Sequence, residues 1–136
     1  ARLKKENIPF QTMDFGPNRS NLVARLKGNG KQRPLLLLAH IDVVGVDQQT
    51  WTHPPHQLTE KDGFLYGRGV QDDLGMAVAN LEIFIALKKL KVPLKRDVIL
   101  AFTGDEESGG TGMKALIEKH PDWIGDAEIG LNEGGS

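Results

Sequence analysis

Apolar residues follow several distinct patterns along this chain. Continuous runs occupy Pro34 to Ala39 and, behind Asp97, Val98 to Phe102. Each is bounded by turns or polar residues and reads as a strand covered on both faces, hence central in a sheet. Ala127 to Leu131 reads as a last buried strand. Leu22 to Lys27 sets Leu22, Ala24 and Leu26 against Val23, Arg25 and Lys27, the alternation of a strand with two unlike faces, and Phe10 to Phe15 reads as a short outer strand. Between the two central runs, Leu74, Met76, Val78, Leu81, Ile83, Phe84, Ile85, Leu87 and Leu90 surround most of a helical circumference. That predicts a mostly buried helix from Asp72 or Asp73, either of which can cap it, to about Lys91, with Pro93 as its stop. Strand, helix and strand in this order imply a parallel pair joined by a right-handed crossover.

The punctuation between these segments is equally direct. Gly16 to Asn21 is turn chemistry, Gly28-Asn29-Gly30 reads as a tight turn, and Lys61-Asp62-Gly63 between Leu58 and Tyr66 predicts a small hairpin. Val44 to Gln57 is irregular, with Trp51, His53, Pro54, Pro55 and His56, and reads as a long ordered loop. A second helix over about Gly112 to Lys119 is amphipathic through Met113, Leu116 and Ile117, and His120-Pro121 closes it. The opening residues Ala1 to Asn7 read as the close of a helix. The result is an α/β domain with one core, since 136 residues suffice for one domain.

Composition removes several functional classes. With 17 basic against 18 acidic residues, the chain lacks the basic excess that nucleic acid or an anionic membrane calls for, and neither partner is expected. No apolar run is longer than Leu35 to Ala39, which is far too short to span a bilayer, so a soluble domain is expected. Cys is absent, which excludes disulfides, thiolate zinc sites and a Cys nucleophile while leaving His and carboxylate chemistry open.

That remaining chemistry is concentrated at strand and turn ends: His40-Ile41-Asp42, Asp72-Asp73, Asp105-Glu106-Glu107 and Glu133. An open α/β sheet collects its ligands beyond the carboxyl ends of its strands, so clusters remote in sequence can converge there. His40 and Asp42 point the same way if the strand continues, which lets Asp42 support the imidazole. A helix start favours ionised aspartates at 72 and 73, the form a metal needs, and Gly67-Arg68-Gly69 marks a constrained loop before them. Three adjacent carboxylates at 105–107 repel one another unless a cation offsets them. Singly, each cluster has a plain structural reading as a solvated strand end, a helix cap or an acidic turn. Together, one imidazole and several carboxylates make an N/O donor set suited to zinc, cobalt or manganese. His53, His56 and His120 read as surface or packing residues. Ser108 lacks the Gly-x-Ser-x-Gly pattern of a serine nucleophile, since Glu106 occupies the place of the first glycine.

In order, Leu38-Ala39-His40-Ile41-Asp42-Val43-Val44, Trp51-Thr52-His53-Pro54-Pro55, Tyr66-Gly67-Arg68-Gly69-Val70-Gln71-Asp72-Asp73, Thr103-Gly104-Asp105-Glu106-Glu107 and Asn132-Glu133-Gly134 resemble the successive motifs of the cocatalytic zinc aminoacylase and carboxypeptidase family. That family includes carboxypeptidase G, acetylornithine deacetylase, succinyl-diaminopimelate desuccinylase, aminoacylase and carnosinase. The resemblance implies a zinc-exopeptidase-like, three-layer α/β sandwich around a mostly parallel central sheet, of which this chain carries an incomplete part. It further implies two Zn2+ ions, or Co2+ or Mn2+ in their place: His40 and Glu133 on the first metal, Asp72 bridging both, Glu107 on the second. Glu106 would be the general base, Asp42 a catalytic support, and the Asp72–Asp73 peptide cis. Where many relatives carry Lys or Met, this chain has Asp73-Leu74-Gly75, a second acid without an assigned role.

The implied reaction is hydrolysis of an amide bond in a small peptide or N-acyl amino acid. The alternative is a non-catalytic metal-binding homologue or an inactive fragment, although a binding module has no use for Glu106 beside Glu107. By the same resemblance, residues 1–136 form part of a single catalytic domain. A lid or dimerisation domain, through which the parent enzyme would form a homodimer, and a closing segment with the last ligand of the second metal lie outside them. Calorimetric titration of this polypeptide with zinc should therefore show one tight site and one weak one; two equally tight sites would contradict the assignment.

Overall fold

The computed structural model describes residues 1–134. Seven strands and four helices follow the order α1 (Arg2–Lys5), β1 (Phe10–Gly16), β2 (Arg19–Leu26), β3 (Leu35–His40), β4 (Thr59–Lys61), β5 (Phe64–Tyr66), α2 (Leu74–Lys89), β6 (Val98–Thr103), α3 (Thr111–Lys119), α4 (Pro121–Ile124) and β7 (Ile129–Leu131). Five strands form one sheet in the order β1-β2-β6-β3-β7, with β3, β6 and β7 parallel, β2 antiparallel to β6 and β1 antiparallel to β2. The two apolar runs are thus neighbours as expected, joined through α2. No tight turn forms after β2: residues 27–34 form an irregular connection, and β6 inserts between β2 and β3.

Alternation within the central strands builds the three layers. Val98 and Leu100 face a core shared with Leu3, Ile8, Leu37, Phe84 and Ile85, beneath α1 and α2. Ile99 and Ala101 face the opposite core with Met13, Val23, Leu116 and Ile124, beneath α3 and α4. β3 is therefore followed by a helix on one face and β6 by a helix on the other. Where successive connections diverge like this, the chain leaves a crevice at the carboxyl ends of the two strands.

Two expectations of burial do not hold. Helix α2 buries Ala77, Asn80, Phe84 and Ile85, but Leu74, Val78, Ile83 and Leu90 are exposed, because a helix lying on a sheet can cover only one stripe of its own surface. The last strand, expected to be buried from Ala127, covers only Ile129–Leu131, pairs on one side with β3, and is exposed throughout. The predicted hairpin is present. Its central residues Asp62 and Gly63 both have positive φ, 53° and 80°, as the tightest hairpin turns require.

Asp97, just ahead of β6, fastens the start of that strand to the end of β2, accepting from the Gly28 amide at 2.8 Å, Lys27 at 2.9 Å and Arg25 at 3.1 Å. Burial opposes its charge, yet these donors outweigh burial and hold its carboxyl below the ordinary aspartate pKa. Asp97→Ala should cost about 1.5–3 kcal/mol of unfolding free energy at neutral pH, the range for hydrogen bonds to a charged group. A carboxyl whose pKa is depressed by folding stabilises above its unfolded value, about 3.9, and loses that contribution as pH falls through the lower folded value. Denaturant titrations should accordingly show the gap between wild type and variant closing below about pH 4.

Candidate metal centre

His40 ends β3 beside Thr103 of β6 and is only 3% exposed. Its Nδ1 lies 3.0 Å from the main-chain carbonyl of Asp42. A carbonyl can only accept, so Nδ1 carries the hydrogen and Nε2 is the atom turned toward the crevice. Nε2 stands 2.8 Å from Asp72 Oδ1 and 3.6 Å from Glu133 Oε1. One ligand atom from each of His40, Asp72 and Glu133 lies within 4.8 Å of the others, a spread that one cation can draw together.

Each of the three arrives on a different element. Glu133 follows β7, whose parallel pairing with β3 brings it over the end of its neighbour. Asp72 precedes α2 in a turn entered through Gly69, whose φ is 81° and where a Cβ would come within 2.7 Å of Val43. Only glycine satisfies both conditions. The Asp72–Asp73 peptide is cis. Neither aspartate caps α2 with its side chain. Asp73, 2% exposed, instead accepts the His40 main-chain amide at 3.2 Å and so ties the start of α2 to the end of β3.

The other predicted residues separate from this trio. Asp42 supports the imidazole chiefly through its carbonyl, with its carboxylate 3.5 Å away. The two carboxylate oxygens instead accept the main-chain amides of Glu106 and Glu107 at 3.1 and 3.2 Å. Glu106 is exposed and Glu107 half-buried beside the crevice; among the described residues, Glu107 is not part of the group around His40. Asp105 is not one of three carboxylates awaiting a cation, because Arg19 neutralises it. His53 packs on Tyr66, His56 lines an apolar groove, and His120 stacks on Trp123. Sequence reasoning missed Asn21, Arg19 and Thr111, which hold the 104–112 turn; nothing in a strand alternation marks a buried Asn.

Electrostatics describe a site with surplus negative charge. Burial raises the Glu133 pKa, the His40 charge opposes it, and Asp72, Asp73 and Glu106 raise it further. At His40 burial works against the charged ring, but Asp72, Asp42 and Glu133 prevail and raise its pKa. The donor set fits a divalent cation: one oriented imidazole nitrogen and carboxylates whose mutual repulsion a cation would relieve.

The family described as peptidase family M20/M25/M40 matches residues 36–135. The chain belongs to this family. It is 39% identical over 117 residues to a probable succinyl-diaminopimelate desuccinylase of Staphylococcus aureus, covering 85% of this chain and 28% of that protein. To an acetylornithine deacetylase of Myxococcus xanthus it is 42% identical over 106 residues, 77% of this chain and 26% of the relative. The fold superposes on an M20 family metallo-carboxypeptidase, Sso-CP2 of Sulfolobus solfataricus, with a TM-score of 0.83 and 25% identity, over 99% of this chain and 30% of that one. The chain thus spans under a third of the length of each of these three proteins.

Because His40 and Glu133 hold protons to higher pH than usual, a metal must displace them. Zinc titration in buffers of different ionisation enthalpy should show net proton release, larger at about pH 6 than at pH 8, and affinity falling as pH drops. His40→Ala should weaken zinc binding by more than the roughly 100-fold lost with a supporting group; pH-independent binding would contradict the site.

Proposed function

We propose that this M20 family chain is part of the catalytic domain of a dinuclear-metal hydrolase, one that cleaves an amide bond in a small peptide or N-acyl amino acid. The observation that carries this reading is the convergence of His40, Asp72 and Glu133 beside the loop bearing Glu106 and Glu107, both anchored on Asp42. The relatives support the substrate class, being named a desuccinylase, a deacetylase and a carboxypeptidase. Among the described residues no helix is long and apolar enough to cross a membrane.

In this reading His40, Glu133 and Asp72 would hold a first zinc ion, and Asp72 and Glu107 would contribute to holding a second. The ions, when bound, supply Lewis acidity toward the scissile carbonyl. His40 presents Nε2 because Asp42 occupies Nδ1. Glu106 is the general base: its main chain is fixed through Asp42 while its exposed side chain is free to reach into the crevice. It takes a proton from the attacking water and returns it to the leaving amine, so one carboxyl serves both halves of the reaction.

In the full-length protein Glu106→Ala should lower kcat by about 100- to 10 000-fold, the usual range for a general base, with metal content nearly intact. Dipeptides and N-acetyl amino acids are the substrates to assay. Retained hydrolysis by the variant would remove Glu106 from the role.

A further inference from the structure

We propose that Asp105, gripped by Arg19 and Thr111, is the positioning residue for the loop that carries Glu106 and Glu107. The β1–β2 hairpin, which contributes no ligand of its own, would thereby set where the base stands. This rests on the reading of Glu106 as base and Glu107 as ligand.

Asp105 is only 7% exposed, and a buried carboxylate has to be matched by donors. Its two oxygens divide between partners: Arg19 Nη1 donates to Oδ1 and Thr111 Oγ1 to Oδ2. With a φ of 69° it occupies left-handed backbone, which Asp tolerates better than most residues. Its carbonyl accepts the amides of Gly109 at 3.2 Å and Gly110 at 2.6 Å, closing the loop on itself.

Asn21 on β2, with no exposed surface, secures both ends of the same turn. Its Oδ1 accepts the Gly104 amide at 3.2 Å and its Nδ2 donates to the Gly112 carbonyl at 2.7 Å. At the tip, Asp42 takes the Glu106 and Glu107 amides. The main chain of the base is therefore held from β2 on one side and from the end of β3 on the other, leaving little but its side-chain torsions free. The Arg19 side chain is 53% exposed, so solvent screens its half of the ion pair and weakens what the pair adds to stability. What the grip fixes is a direction.

Asp105→Gly accommodates the left-handed backbone and removes the carboxylate together with its Cβ; Asp105→Asn, which tolerates that conformation without the added freedom of glycine, should shift kcat and exchange in the same direction. In the full-length protein at saturating zinc, kcat should fall by about 10- to 100-fold with KM within about threefold, as for a displaced catalytic group. Hydrogen exchange at the Glu106 and Glu107 amides should accelerate about tenfold while β6 stays protected. Arg19→Met should cause a loss in the same sense and add little in the Asp105→Gly background. Wild-type kcat and exchange in Asp105→Gly would overturn the proposal, leaving Asp105 as a residue chosen for its backbone alone. Faster exchange spreading through β6 and α3 would also overturn it, by making the residue merely structural. Glu106→Ala is assayed alongside. Hydrolysis retained there would remove the base itself, whereas the exchange pattern of Asp105→Gly still decides whether the loop is held.

Discussion

The parallel pairing of β3 with β6, in the register that sets Leu35 opposite Val98 and His40 opposite Thr103, is the constraint on which the rest of this structure depends. Parallel strands end on the same side, so the residues that follow them, His40-Ile41-Asp42 and Asp105-Glu106-Glu107, must meet. The Ile41 amide, bonded to the Thr103 carbonyl at 2.9 Å, carries the pairing one residue past the strand. A slip by one residue would turn His40 to the other face of the sheet and dissolve the site.

Around that meeting point, hydrogen bonds from one cluster to another do more than the clusters do separately. Asp42 serves His40 with its carbonyl and the Glu106–Glu107 main chain with its carboxylate. Asp73, which had no assigned role from sequence, joins the start of α2 to His40. Each of these acidic groups is committed to a main-chain amide. Among the side chains left facing the crevice, Glu133 holds its proton more firmly than usual through burial and the neighbouring carboxylates, and His40 does so through Asp72, Asp42 and Glu133 against the opposing effect of burial.

Much of the fold was legible because the physics behind it is local. Continuous apolar runs bounded by polar residues marked β3 and β6, and their spacing around a helix required a parallel pair. The hairpin at Asp62-Gly63 followed from turn chemistry. Burial was misread wherever it depended on neighbours. The apolar circumference of α2 predicted enclosure, yet Val78 and Ile83 are exposed, and the run ending in Leu131 lies at a sheet edge. Hydrophobicity states what a segment can bury; only the arrangement of layers states what it does bury.

By itself the sequence determined the chemistry: which side chains could bind a cation, that thiolate sites were excluded, and, through five ordered motifs, the family. Tertiary structure decided which donors each aspartate meets. Taken by residue type alone, Asp42, Asp73 and Asp105 are alike. They separate only once the sheet brings Arg19 to Asp105, the His40 amide to Asp73 and two amides to Asp42. A carboxylate's role is set by the donors that reach it, and those donors come from strands and loops far away along the chain.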